Sequence, residues 1–414
     1  MYASHPASIM TRRRLLGGGT AGIAALGLGA ASLVPPAPRT AFAQITGPWN
    51  GGDVPSASRS SRQMAVAARA FLDSLSSEQR GIVLYSDVSD MTRTQWSNFP
   101  AGDSPRPGVA FGDLSESQRV LLHDLLRSST STQGYHKASG AIRADQILYE
   151  QERGNQVYGS ANYYTSVFGS PGDATWAWML TGHHMTAQFT VADDRTAFTP
   201  MFTGVQPLQI PTGLEAGWQV LPQDAARAIE LLSSLSSDQQ RTVIIDTNSP
   251  RDVIAGPGRQ ANLGTFQGLP AGQMTDPQQR LLWLLVQEFV NNADFDAAEA
   301  QLALVQESWG DTHFAWMGPS PDPSATYYFR VHGPRILIEY DVQAPLTQQG
   351  GHVHAITRDP TNDYGMDWLG LHYQESLPQF RGTPVGPDGI PSMGAGGPGG
   401  AGPRPPGGGT GPTP

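Results

Sequence analysis

Two kinds of apolar spacing take turns along the chain, and each appears twice. In "AARAFLDSLSSEQ" (67–79) an Ala-rich run with Leu72 and Leu75 keeps one face apolar at helical spacing. "AARAIELLSSLSSDQ" (225–239) repeats it with Leu232 and Leu235. In both, a serine stands before an acid after the last leucine, the signature of an N-cap opening a second short helix. "LSESQRVLLHDLL" (114–126) and "MTDPQQRLLWLLV" (274–286) resemble each other in turn, and the second predicts a well-buried third helix. Alternating segments follow. "TYYFRVHGPRILIEYDVQ" (326–343) predicts a hairpin turned at Gly333-Pro334, and "GHVHAITR" (351–358) the next strand. "YGMDWLGLHYQ" after it reads as a helix.

The matches keep their order in both halves, ending with "WAWMLTGHH" (176–184) against "FAWMG" (314–318). The expected fold is therefore α+β: two duplicated helix-plus-antiparallel-sheet units, 62–215 and 216–381, packed into one globular domain. Trp176, Trp178 and Trp316 are expected in its core. The segment 44–61 reads as a linker. The Gly/Pro-rich tail 382–414 cannot bury enough apolar surface to fold and is expected to be disordered.

Residues 1–43 read as a twin-arginine export signal. Arg12 and Arg13 precede a Gly- and Ala-diluted apolar run, Leu15 to Val34, and "AFA" (41–43) offers a cleavage site. The run is long enough for a membrane anchor, but its glycines and the cleavage site argue for removal, leaving no stable membrane span. The expected location is extracytoplasmic, reached through the twin-arginine export machinery. Without this segment, which holds four arginines and no acid, the formal net charge moves from −10 to −14. An acidic protein is a poor partner for nucleic acid or an anionic membrane.

Lys137 is the only lysine, so Schiff-base chemistry is not expected, and nearly all positive charge is arginine, which grips oxyanions in a fork. With no cysteine, thiol nucleophiles, disulfides and thiolate metal sites are excluded. Any metal must be held by histidines and carboxylates. There is no G-x-S-x-G elbow, P-loop, H-E-x-x-H or G-x-G-x-x-G after a strand.

Histidines carry the remaining signal. Strand alternation puts His352, His354, Ile356 and Arg358 on one face, the two histidines about 7 Å apart along the strand. Their rings can converge on one ion. "GHHMTAQFTV" (182–191), read as strand, sends His183 and His184 to opposite faces, one toward core and one toward a polar site. If the sheets of the two units abut, His184 meets His352 and His354 in a three-histidine site with an open position. A hydrogen-bonded polar core without metal fits the same residues. Arg330 and Arg358 are placed to clamp a carboxylate or phosphate, or to pair structurally with Glu339 or Asp363. His372, beside Trp368 and Leu369 at helical spacing, reads as a half-buried residue pinning its helix.

"GHHMTAQFTV", the phenylalanine and glycine of "PMFTG" (200–204), "YYFRVHGPRILIEYD" and "HVHAITRDPTNDYGMDWLGLHY" resemble the family of domains of unknown function DUF3500, over roughly Gln63 to Phe380. The resemblance implies that the pairs His183–His184 and His352–His354 and the Arg358–Asp363 turn form one site, and it supplies no substrate.

The expectation is an exported enzyme, hydrolytic or oxidative, that holds a divalent transition metal (zinc, copper or iron) through His183, His184, His352 and His354. Arg330 and Arg358 would bind a small anionic or carbonyl-containing substrate, with Glu339 or Asp363 as general base or orienter. The alternative is a non-catalytic extracytoplasmic protein that binds a metal or a small anion.

Overall fold

The Ala-rich stripe seen in the sequence forms α1 (Ser58–Ser74), which buries Met64, Ala65, Ala68, Phe71 and Leu72. These are coordinates of a computed structural model that describes residues 56–260, 262–319 and 325–376. The segment read as an export signal (1–43), most of that read as a linker and the Gly/Pro tail lie outside the described residues. Ser76 caps α2 (Ser77–Val83) in a reciprocal box with Gln79. Then come β1 (Leu84–Tyr85), β2 (Val109–Ala110), α3 (Glu116–Ser129), α4 (Thr132–Gln151), β3 (Tyr164–Gly169), β4 (Thr175–Thr181), β5 (Met185–Ala192), β6 (Arg195–Ala197) and β7 (Met201–Val205).

The second half follows a similar order, without a counterpart of β6. It runs α5 (Asp224–Ser234), α6 (Ser237–Val243), β8 (Ile244–Asp246), β9 (Leu269–Pro270), α7 (Asp276–Val290), α8 (Phe295–Glu307), β10 (His313–Met317), β11 (Tyr328–Gly333), β12 (Ile336–Ala344) and β13 (His352–Arg358), and closes with α9 (Met366–Ser376). The capping boxes at Ser76–Gln79 and Ser115–Gln118 recur at Ser236–Gln239 and Thr275–Gln278. Gln118 Nε2 donates to Gln79 Oε1 at 2.9 Å, and Gln278 Nε2 to Gln239 Oε1 at 3.0 Å. The third helix of the second half, α7, buries one face (Leu282, Leu285, Val286, Phe289), while Leu284 is exposed.

All strands join one sheet ordered β1-β3-β4-β5-β7-β13-β12-β11-β10-β8, with β2, β6 and β9 on its margins. Five strands of each half lie on this path, β1 to β7 from one edge and β8 to β13 from the other. Sequence alone suggested two abutting antiparallel sheets. Instead β7 and β13 pair antiparallel through five residues, from Val353 opposite Val205 to Thr357 opposite Met201, so the halves share one ladder. The sheet is mixed, because β1 lies parallel to β3 and β8 parallel to β10. One face packs on the helices, with Trp176, Trp178 and Trp316 buried there. The other carries a smaller core of Phe202, Ile356, Tyr364, Trp368 and Leu369, closed by α9 and by the long loops after β1 and β8. The predicted hairpin is β11–β12, with Gly333 opposite Ile336.

Candidate metal centre

Three strands bring the histidines together. Gly204 of β7 lies opposite His354 of β13, and its amide donates to the His184 carbonyl at 2.8 Å. The row therefore reads His184, Gly204, His354 across the seam between the halves. A Cβ at position 204 would sit 2.6 Å from His184 Cδ2 and 3.0 Å from His354 Cδ2. Glycine leaves the gap over which the two rings close. His352 Nε2 lies 3.3 Å from His184 Nε2 and 3.1 Å from His354 Nε2. His184 and His354 are buried and His352 is half-buried. The three ligand atoms lie within 4.8 Å of one another, so the group could hold a metal ion.

The positions of His183 and His184 differ from a strand reading. They form the tip of the β4–β5 hairpin, closed by the Gly182 amide bonding to the Met185 carbonyl at 2.8 Å. In that turn alternation lapses, and the rings stack with centroids 3.6 Å apart instead of facing opposite ways. His183 is not among the three that converge. Its Nδ1 lies 2.9 Å from Asp145 Oδ1, on the buried face of α4.

His354 is oriented from behind. Its Nδ1 lies 2.9 Å from Asp252 Oδ1, and the Gln343 amide flanks the same nitrogen at 2.9 Å. With Nδ1–H aimed at a carboxylate, Nε2 keeps its lone pair for the shared point, the arrangement metal-bound imidazoles favour. Burial works to raise the Asp252 pKa, but the bonds from His354, the Val253 amide and Asn98 outweigh it and hold the carboxyl below its usual range. Burial likewise depresses the histidines: His184 falls well below the ordinary imidazole value, His354 falls despite Asp252, and His352 is held down to about 2. Neutral imidazoles are what a metal requires.

The other residues singled out in the sequence surround the loop that carries Asp252. Glu339 is wholly buried. Its oxygens accept from the Ile254 amide (2.6 Å), the Ala255 amide (2.8 Å) and the Tyr328 hydroxyl (2.8 Å). Burial pushes its pKa up, against those bonds. Arg358 Nε donates to the Ala255 carbonyl at 2.8 Å and its Nη2 to the Gly256 carbonyl at 3.0 Å, while its other arm pairs with Asp363. Acid and guanidinium thus grip one backbone stretch, 254–256, from both its donors and its acceptors. Arg330 is buried on the neighbouring strand, bonded to Gln267, and lies on the sheet beside Glu339. His372 Nδ1 bonds to Asp193 Oδ2 at 2.9 Å and ties α9 to the β5–β6 turn, apart from the cluster.

Asp145 and Asp252 were not picked out from the sequence. Asp145 was findable: it is a lone acid on the stripe Ala138, Ala141, Ile142, Leu148 of α4. Asp252 sits in a loop without periodicity. No curated protein and no solved structure matches the chain. The family of proteins of unknown function DUF3500 matches residues 57–366, most of the described fold and every residue of the histidine cluster, and the chain belongs to that family.

Proposed function

We propose that His184, His352 and His354 hold a divalent transition metal ion, zinc, copper or iron, and that the protein is an exported metal-dependent enzyme. The observation that carries this reading is the meeting of three Nε2 atoms at 3.1 and 3.3 Å. With His354 Nδ1–H donating to the Asp252 carboxylate, its Nε2 presents a lone pair. A single N–H on His352 would then face two acceptors at once, whereas a cation satisfies all three nitrogens.

The substrate is read from the approach to His352, the half-buried member of the three. A hollow of about 520 Å³ in front of it is lined by Gln206, Ala344, Thr347, Gln348, Gln349 and Gly351. None of these is charged. Arg330 and Arg358 are buried and bonded within the protein. A small neutral carbonyl compound, an amide or ester held by glutamine side chains, fits this mouth better than an anion. The metal would polarise the carbonyl when bound. Among the described residues no helix is long and apolar enough to cross a membrane. Export rests on the twin-arginine pattern of residues 1–43, a route that carries proteins already folded around a cofactor.

A second reading, a metal-holding protein without turnover, is favoured by the burial of two of the three ligands. Elemental analysis of the mature protein, made without a His tag, separates these from a bare polar core. Near-stoichiometric metal that is lost in the His352→Ala, His354→Ala variant supports the site, and its absence from both proteins would sink it. Azide binding to the metal-loaded protein, read by its visible spectrum after cobalt exchange, supports an open coordination position. No spectral change favours the holding role.

A further inference from the structure

The three-histidine site leaves one buried nitrogen without a partner. His184 is wholly buried, and among the described residues its Nδ1 finds no hydrogen-bond partner. With Nε2 as a ligand of the first ion, the neutral ring carries its proton on Nδ1. Metal-bound imidazoles almost always donate that N–H to a carboxylate, carbonyl or water, as His354 is placed to do toward Asp252. The nearest carboxylate oxygen to His184 Nδ1 is Asp145 Oδ1 at 3.7 Å, beyond hydrogen-bond reach.

That spacing suits a different occupant. Asp145 Oδ1 is also 2.9 Å from His183 Nδ1, and one ligand atom each from Asp145, His183 and His184 lies within 4.8 Å of the others. Ligand bonds of about 2.0–2.2 Å in tetrahedral array put neighbouring donors roughly 3.4 Å apart. The stacking of the two rings, 3.6 Å between centroids, turns both Nδ1 atoms to the same carboxylate. Asp145 Oδ2 is engaged by the Gly159 amide at 3.3 Å, which leaves Oδ1 to face the pair.

We propose that Asp145, His183 and His184 form a second cation site, and that His184 bridges the two ions through its two ring nitrogens. This rests on the three-histidine reading of the first site. The protons balance simply. Binding of the second ion displaces the Nδ1 proton of His184 to solvent and leaves a bridging imidazolate. His183 moves its proton from Nδ1 to Nε2 and stays neutral. The imidazolate and the Asp145 carboxylate together offset the added double charge. The donors on both sides are nitrogen and carboxylate oxygen, a set that suits zinc or copper.

The test uses the untagged mature protein, stripped with a chelator and titrated with Cu²⁺ alone. Two coppers per chain are expected. The first gives an isolated Cu²⁺ paramagnetic resonance signal, and the second makes that signal fall instead of double, because spins on a shared imidazolate pair. Asp145→Asn and His183→Ala should each bind one copper and keep the isolated signal at every loading. A wild type that binds one copper, retained in both variants, overturns the bridge and leaves the three-histidine site standing. Two coppers with simply additive signals place the second ion elsewhere and also overturn it. No copper at all removes both sites together. Circular dichroism screens the variants for folding, and if neither folds the wild-type titration still decides.

Discussion

At the scale of single residues the centre depends as much on what is missing as on what is present. Gly204 has an ordinary backbone role in β7, and it is a glycine because the two histidine rings occupy the space of its side chain. Gly204→Ala should therefore fold and lose most of its metal. The added methyl forces the rings apart at an expected cost of about 1–3 kcal/mol, the usual range for overpacking. Elemental analysis beside thermal unfolding checks it, and full metal content in a folded Gly204→Ala protein would refute the row geometry. Asp252 acts through His354. Asp252→Asn removes the charge while keeping the shape, and metal affinity should fall roughly 10–100-fold, as for other residues that orient a metal-bound imidazole. Competition with a chelator of known affinity measures this, and an unchanged affinity would deny Asp252 that role.

Among elements, the loop after β8 governs the site although its sequence has no period. It carries Asp252, and it is held by groups on β12 and β13. Glu339 and Arg358 stood out in the sequence as a general base or orienter and an anion clamp, or as structural partners, near the histidines. Their use was not legible, because their partners are backbone atoms of a loop far along the chain. The hairpin and β13 were readable from alternation. The His183–His184 tip was misread for the same reason, since alternation says nothing about a turn. Glu339→Gln keeps the volume but offers a single acceptor to three donors. It should destabilise by about 1–3 kcal/mol, the cost of leaving a buried group unmet. It should also weaken metal binding without touching the metal, by freeing Asp252. Denaturant unfolding and chelator competition on the same sample test both halves. A loss of stability with unchanged affinity would reduce Glu339 to plain structure.

Across the whole molecule, the main helices and the β11–β13 strands were visible in the sequence because local spacing encodes them, while the single continuous sheet was not. It depends on β7 meeting β13, strands far apart in the chain with similar apolar patterns. That seam carries the histidine cluster on one face and the lone lysine on the other. Lys137 of α4 donates to Asp224 of α5 at 3.0 Å and to Glu288 of α7 at 2.9 Å, and Lys137 and Asp224 line a small cavity over Thr203 and Ala355. Lys137→Met would leave the buried Asp224 and the half-buried Glu288 without their cation, and breaking such a cluster costs about 3–5 kcal/mol. The pH dependence gives the sign. Burial raises the Asp224 carboxyl above its usual value even with Lys137 beside it, and the lysine opposes that rise. Without the lysine the folded-state pKa climbs further, so the folded protein takes up the proton before the unfolded chain does. A raised carboxyl destabilises the fold above its folded pKa, and the penalty disappears once the pH lies below the unfolded value, near 3.9. The stability gap between wild type and Lys137→Met should therefore be widest at neutral pH and shrink as the pH falls toward 4. The histidines bend the wild-type curve the other way. With His352 held down to about 2, their contribution is whole above about 6.5 and drains as the unfolded chain protonates below it. Both proteins share that loss, so it cancels in the difference. Urea unfolding of the pair at several pH values measures it, and a gap that stays constant or widens in acid would mean that unpaired carboxylates are not what Lys137 holds in check.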